Sequence, residues 1–239
     1  MENNMNALKK TARLAGLSYL IWVMTGIYGL MYLPSQTYVK GDALATANKM
    51  LANEFLFRTG ILNDLFSSAI WVYMALILYR LFKQVDAHQA KLLVALVLVQ
   101  IPTAFFMEAF NLASLMIVKG ELLKTFELGQ RQDAAMFFLK MSDYTTRTLE
   151  MFWGLWLFPF GILVYKSGFM PRILGVFLLL NGIAYLIHCC TALLLPDYQT
   201  LVFQWATPFW TLGEISIMLW LLIKGVKNNI PAGEKQVDR

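Results

Sequence analysis

The amino-acid sequence predicts an all-α protein, a polytopic transmembrane helical bundle of six spans forming one membrane domain over residues 1–239. Three observations predict it. The chain is 58% hydrophobic and only 15% charged, whereas a soluble globular domain carries roughly 25% charged and about 45–50% apolar residues. The apolar residues are concentrated in runs such as 92–106, 151–165 and 173–180. A hydrocarbon core about 30 Å thick takes about 20 mostly apolar helical residues to cross, and this chain has room for six such crossings. Finally, Lys and Arg flank the apolar runs rather than interrupt them.

The elements follow in order. Lys9, Lys10 and Arg13 precede a first apolar run. It is longer than a secretory h-region and is followed by no small-x-small cleavage site, so it reads as a retained span, 15–33, ended by Pro34. Span two is expected over 61–82, span three over 92–118 with Pro102 inside it, and span four over 147–165 with Pro159 inside it. Span five is expected over 173–195, stopped by Pro196, and span six over 203–223. A proline inside a span is tolerated where neighbours satisfy the freed carbonyl, so kinks rather than breaks are expected at Pro102 and Pro159.

Two long loops carry helical patterns of their own. In 43–57, Leu44, Ala47, Leu51 and Phe55 share one helical face, with Thr46, Lys49 and Asn53 opposite, and Asp42 is placed to cap the start. Asn48 interrupts that pattern. The segment 120–143 mixes both charge signs with Leu122, Leu123, Phe126, Phe137 and Phe138. It is expected to extend spans three and four as helices above the bilayer, with a turn near Gly129. Such amphipathic segments rest on the membrane surface by default; covering the bundle is the alternative. Between spans four and five, Gly168 suits a helix C-cap and Pro171 the first turn of the next helix, which makes a tight hairpin. Residues 228–239 read as a polar tail.

The charge distribution sets an orientation. With the N-terminus inside, Lys9, Lys10, Arg13, Arg80, Lys83, Lys91, Lys166, Arg172, Lys224, Lys227, Lys235 and Arg239 are cytoplasmic, twelve of twenty basic residues. Every short loop obeys that bias, which is where the positive-inside rule is dependable. Both termini are therefore expected on the cytoplasmic side of a plasma membrane. The formal net charge of +5 reads as this flanking pattern and not as a nucleic-acid surface, since no basic patch is interleaved with exposed aromatics. The adjacent Cys189 and Cys190 offer neither a disulfide framework nor metal-ligand spacing and read as small packing residues. Membrane lipids are the expected partners, together with a small-molecule ligand.

Ionisable groups inside a span are expensive, roughly 2.5–3.5 kcal/mol at mid-membrane on insertion scales, and they persist where they face the bundle interior. Span two opens with Asn63, Asp64, Ser67 and Ser68, preceded by Arg58. Span three carries Gln100, Thr103, Glu108, Asn111 and Ser114 along one side. Span four opens with Arg147 and Glu150, spaced to pair with each other and with Asp143. Span five has a stripe of Asn181, Tyr185, His188 and Thr191, and span six a stripe of Gln204, Thr207, Thr211 and Glu214. Combined with the orientation, these predict a polar pocket open to the outer side and closed toward the cytoplasm. Its ligand-binding residues would be Arg58, Asp64, Glu108, Asn111, Arg147, Glu150, His188 and Glu214. The bland reading of the same residues is interfacial salt bridges and interhelical hydrogen bonds. Neither a cofactor nor a metal is called for: a carboxylate–imidazole metal site lacks any local motif, and the serines have no nucleophile-elbow context.

Residues 41–47 (GDALATA), 56–65 (LFRTGILNDL), 78–82 (LYRLF), 152–155 (FWGL), 168–175 (GFMPRILG), 213–215 (GEI) and 221–226 (LLIKGV) carry a resemblance that covers nearly the whole chain. In them the sequence resembles an uncharacterised bacterial membrane family, domain of unknown function 4386. The resemblance implies a multi-pass helical bundle, sets Arg58, Asp64 and Glu214 at positions that look recurrent in the family, and implies no activity. The run of His188, Cys189 and Cys190 is less typical of it. Three readings stand: a protein that binds or moves a small polar or amphipathic ligand such as a lipid headgroup, an intramembrane enzyme with Glu108 or Glu214 as general base, and a non-catalytic structural or regulatory partner.

Overall fold

A computed structural model describes residues 2–226, with side chains from residue 5 onward. The expected polar tail at 228–239, and with it Lys235 and Arg239, lies outside the described residues, as does Lys227. All described regular structure is helical, and six helices are long and apolar enough to cross a membrane. They are Met5–Thr37, Glu54–Phe82, Ala87–Val118, Leu128–Lys166, Arg172–Leu194 and Pro196–Lys224. The architecture is an all-α polytopic bundle.

Several expected boundaries are corrected. The first span does not stop at Pro34 but runs on to Thr37, because Pro34 sits in the opening turn of a further helical segment, Leu33–Thr37, where a missing N–H costs nothing. The second and fourth spans begin earlier, at Glu54 and Leu128, because their polar ends stay helical. At both prolines expected to kink, the regular helical bonding lapses for one or two residues while the span continues. The helix Ala87–Leu98 lapses and resumes as Ile101–Val118 with Pro102 in its first turn. The helix Leu128–Leu155 gives way at Trp156 to Leu157–Lys166, which contains Pro159. In both places proline lacks the N–H that would reach back four residues.

In the segment 120–143 the expected helical extension of span four is present from Leu128, while that of span three is corrected. The third span ends in a Schellman motif: the Gly120 and Glu121 N–H groups bond Ile117 O and Met116 O at 2.9 Å each, with Gly120 at φ +73°. An irregular loop follows, and Gly129 lies inside the next helix rather than at a turn.

The chain forms two compact units. One takes in residues 1–20, 72–98 and the described part of the segment from Glu150 onward. A ladder of aromatic rings runs through its core, Tyr19 to Trp156 to Phe160 to Phe82 to Phe169, with neighbouring centroids 5.6–6.4 Å apart. Trp156, Tyr19, Phe82 and Phe160 are among its largest fully buried side chains. The fourth and fifth spans make a hairpin turned at Gly168 (φ +68°), with Pro171 at the N-cap and not in the first turn. Glycines let the two backbones touch. A Cβ on Gly154 would lie 2.7 Å from Gly182 O, and one on Gly161 would lie 2.8 Å from Gly175 O. The reciprocal distances are 2.9 and 2.6 Å. Small residues at such crossings allow close packing where no hydrophobic force acts between helices.

The other unit takes in residues 21–71 and 99–149. Its core gathers Ala47, Met50, Phe57, Leu115, Ile117, Val118 and Ala135. The amphipathic helix is present as Ala43–Ala52, and Asp42 caps it by accepting from the Ala45 N–H at 2.8 Å. It docks through Thr46, Ala47 and Met50, while Leu44, Leu51 and Phe55 of the expected apolar face stay exposed. Thr46 also clasps the entering chain, donating to Val39 O and accepting from Val39 N, both at 3.0 Å.

Candidate functional site

The eight sequence-derived site residues fall into two groups, one per unit. In the unit of residues 21–71 and 99–149, the second and third spans bring Asp64 and Glu108 together. Their carboxyl groups lie near each other, each held by an asparagine amide. Asn63 Nδ2 donates to Asp64 Oδ1 at 2.8 Å and to Thr25 O at 3.0 Å, tying the pair to the first span. Asn111 Nδ2 donates to Glu108 Oε2 at 3.2 Å. The Thr25 and Ser67 hydroxyls meet at 2.9 Å. Room for the Asp64 carboxyl comes from Gly29, since a Cβ there would run into Asp64 Oδ1. Gly29 lies in a π-helical turn, Tyr28–Tyr32, a feature frequent at functional sites.

Arg58 and Arg147 are placed elsewhere by their partners. Arg58 Nε binds Glu54 at 2.9 Å, one turn back on the same helix, and Glu54 also receives Lys119 Nζ at 2.9 Å. Arg147 forks onto Asp143 Oδ2 at 3.0 and 3.2 Å. Both are partly exposed i,i+4 pairs, which solvent and salt screen.

In the other unit, Glu150, His188 and Glu214 converge around the fifth span. Glu150 Oε2 lies 2.6 Å from His188 Nδ1, a partner on a different span. Asn181 Nδ2 reaches Glu214 Oε1 at 3.4 Å and Trp210 O at 3.5 Å. Rings enclose this group: Tyr185 stacks on Trp210 at 4.8 Å, Trp153 meets Tyr185 edge-on at 6.0 Å, and Trp210 and Phe203 lie 5.4 and 5.7 Å from the His188 ring. Asn181 and His188 are 0% and 2% exposed. Three buried polar atoms here have no hydrogen-bond partner: Asn181 Oδ1, His188 Nε2 and Trp210 Nε1.

The stripe expected on span six is only partly turned inward. Gln204, Thr207 and Thr211 are exposed, and the two threonines return their hydroxyls to Phe203 O and Thr207 O at 2.7 and 3.0 Å. A π-helical turn, Thr211–Ile215, follows Pro208. The wider turn shifts the helical phase, so residues before it and Glu214 within it do not share the face that a uniform 3.6-residue period implies. Sequence reasoning left Thr25, Gly29 and Trp210 out of the site and placed Asn181 only in a stripe. Pro208 just ahead of Glu214 is the local signal that could have flagged the altered turn. Among the described residues no three His, Cys, Asp or Glu side chains form a group that could hold a metal ion.

The family model described as Domain of unknown function (DUF4386) matches residues 14–225. A protein from Archaeoglobus fulgidus described as uncharacterized is 35% identical over 77 residues, which is 32% of this chain and 44% of that protein. The chain thus spans less than half the length of that curated relative. No solved structure matches the chain.

Proposed function

Because this chain belongs to the DUF4386 family, whose description carries no activity, we propose its function from the site itself: it binds or moves a small polar or amphipathic ligand within its membrane-spanning helices. The observation that carries this is the trio of buried, unpartnered atoms beside Glu150 and Glu214, namely Asn181 Oδ1, His188 Nε2 and Trp210 Nε1. An unsatisfied buried polar group costs about 1–3 kcal/mol, and hydrocarbon supplies no substitute partner. The indole N–H only donates and the amide oxygen only accepts. A ligand that satisfies both carries a donor and an acceptor, as a hydroxyl or amine-bearing headgroup does. Glu150 and Glu214 favour a group that donates protons or bears positive charge. Entry from the outer side of a cell membrane follows from the charge distribution of the loops.

Native mass spectrometry of the purified protein, read together with ligand-dependent melting, tests this. A co-purifying small molecule is expected in the wild type and lost from Asn181→Leu and Glu214→Gln, with the helical content of both variants preserved. If neither variant alters retention or melting, the reading fails.

One observation favours a second reading, an intramembrane enzyme. The Glu150–His188 contact of 2.6 Å leaves Nε2 without a partner, which is how a carboxylate orients an imidazole for general-base work. On that reading the base is His188 rather than a buried Glu. Turnover of a bound molecule that His188→Gln abolishes, with binding retained, would select it over simple binding.

A further inference from the structure

Away from the buried acids, the first unit carries a groove of about 440 Å³ lined by Gln89, Ile162, Tyr165, Lys166, Val176 and Leu179. The start of the third span, the end of the fourth and the start of the fifth form its walls. Its depth follows from glycine: at Gly161 a Cβ would press 2.8 Å from Gly175 O and 2.9 Å from Leu179 Cγ. The helices therefore meet at their backbones and leave a furrow between Ile162, Val176 and Leu179. Ile173 and Leu180 beside it are 53% and 42% exposed, so the furrow lies on a face presented to hydrocarbon.

One end of the furrow is basic. Lys166 Nζ bonds Asp86 Oδ2 at 2.8 Å while the lysine side chain remains 53% exposed. An ammonium has three N–H donors, so the pairing with Asp86 leaves others to give. The Arg172 guanidinium lies 5.4 Å above the Tyr165 ring, held there by the ring face. Arg172 is the first residue of the fifth-span helix, whose N-cap, Pro171, makes no side-chain cap hydrogen bond. A helix start of this kind favours negative charge. Lys166 and Arg172 against Asp86 leave one net positive charge where the apolar furrow ends.

We propose that this groove seats an anionic phospholipid, one acyl chain lying along Ile162, Val176 and Leu179 and the phosphate held between Lys166 and Arg172. The furrow takes hydrocarbon and the rim takes a single negative charge, the two halves of a phosphatidylglycerol-like molecule. Phosphatidylcholine, whose headgroup carries a balancing cation, matches only the furrow.

The test is native mass spectrometry of the full chain, stripped of lipid in neutral detergent and then offered phosphatidylglycerol or phosphatidylcholine with identical chains. Phosphatidylglycerol adducts are expected to exceed phosphatidylcholine adducts about tenfold. Lys166→Gln with Arg172→Gln should bring the two to the same level, and Asp86→Asn should raise the phosphatidylglycerol adduct. Leu179→Trp fills the furrow without touching the charges and should deplete both adducts, which decides the matter if the double variant does not fold. Equal retention of the two lipids by the wild type, or adducts indifferent to Leu179→Trp, overturns the proposal. So does competition by inorganic phosphate alone at millimolar concentration, or a lipid-free dimer that Leu179→Trp dissociates.

Discussion

At Gly29 the absence of a side chain is what lets Asp64 meet its partners. An added methyl group runs into Asp64 Oδ1 and comes within 3.1 Å of Asn63 Nδ2, so the carboxyl must swing away or the first span must shift. Gly29→Ala is expected to destabilise by about 1–3 kcal/mol, as overpacking does. Adding Asp64→Ala should recover part of that loss, and a double-mutant cycle read by thermal melting in detergent measures the coupling. If the two substitutions add independently, the clash is relieved elsewhere. At the same scale, the site residues expected from sequence divide by reach. Glu108 and Asn111 lie three residues apart on one helix and were legible as a stripe. Arg58 and Arg147 looked like pocket cations, yet each finds a carboxylate one turn away. The contact between Glu150 and His188, 38 residues apart, has no local signal at all.

Among the elements, the connection between the second and third spans depends on pH. The Lys166 ammonium, followed by the Gln89 N–H at 3.1 Å, holds the Asp86 carboxyl below its ordinary value of 3.8. A lowered folded-state value means stability that is present above the unfolded value and lost as pH falls through the folded one. The wild type should therefore lose its advantage over Asp86→Asn on acidification below about pH 4, the ordinary aspartate range, and the gap should also shrink in high salt because the pair is exposed. Melting curves of both proteins across that range check it; a constant gap would show that the ion pair contributes nothing. Spans as elements were legible because about 20 apolar residues have few alternatives to crossing a bilayer. Their internal irregularities were less so. Pro102 and Pro159 marked two of them. The π-helical turn at Tyr28–Tyr32 has no proline or other local signal within it, whereas Pro208 precedes the one at Thr211–Ile215.

For the whole molecule, the orientation we propose rests on the distribution of Lys and Arg. In a background with Cys189 and Cys190 replaced by Ala, a single cysteine at Ser167 should react with a membrane-impermeant thiol reagent only after the cells are opened. One at Gln130 should react in intact cells. The reverse pattern would invert the topology and move the proposed entry to the cytoplasmic side. Neither position is buried, so accessibility reports the side of the membrane and not the packing.

The paired glycines of the fourth and fifth spans bear on how this hairpin tolerates changes in length. Gly154 to Gly161 and Gly175 to Gly182 are both steps of seven residues, about 10.5 Å along a helix and close to two full turns. Adding or removing one residue between the members of either step swings one carbonyl contact about 100° out of alignment while the other remains. Lengthening the turn at 167–171 leaves both contacts in phase. Insertions there should be borne by the folded protein, whereas a single extra residue at 155–160 forces the two helices to choose which crossing to keep.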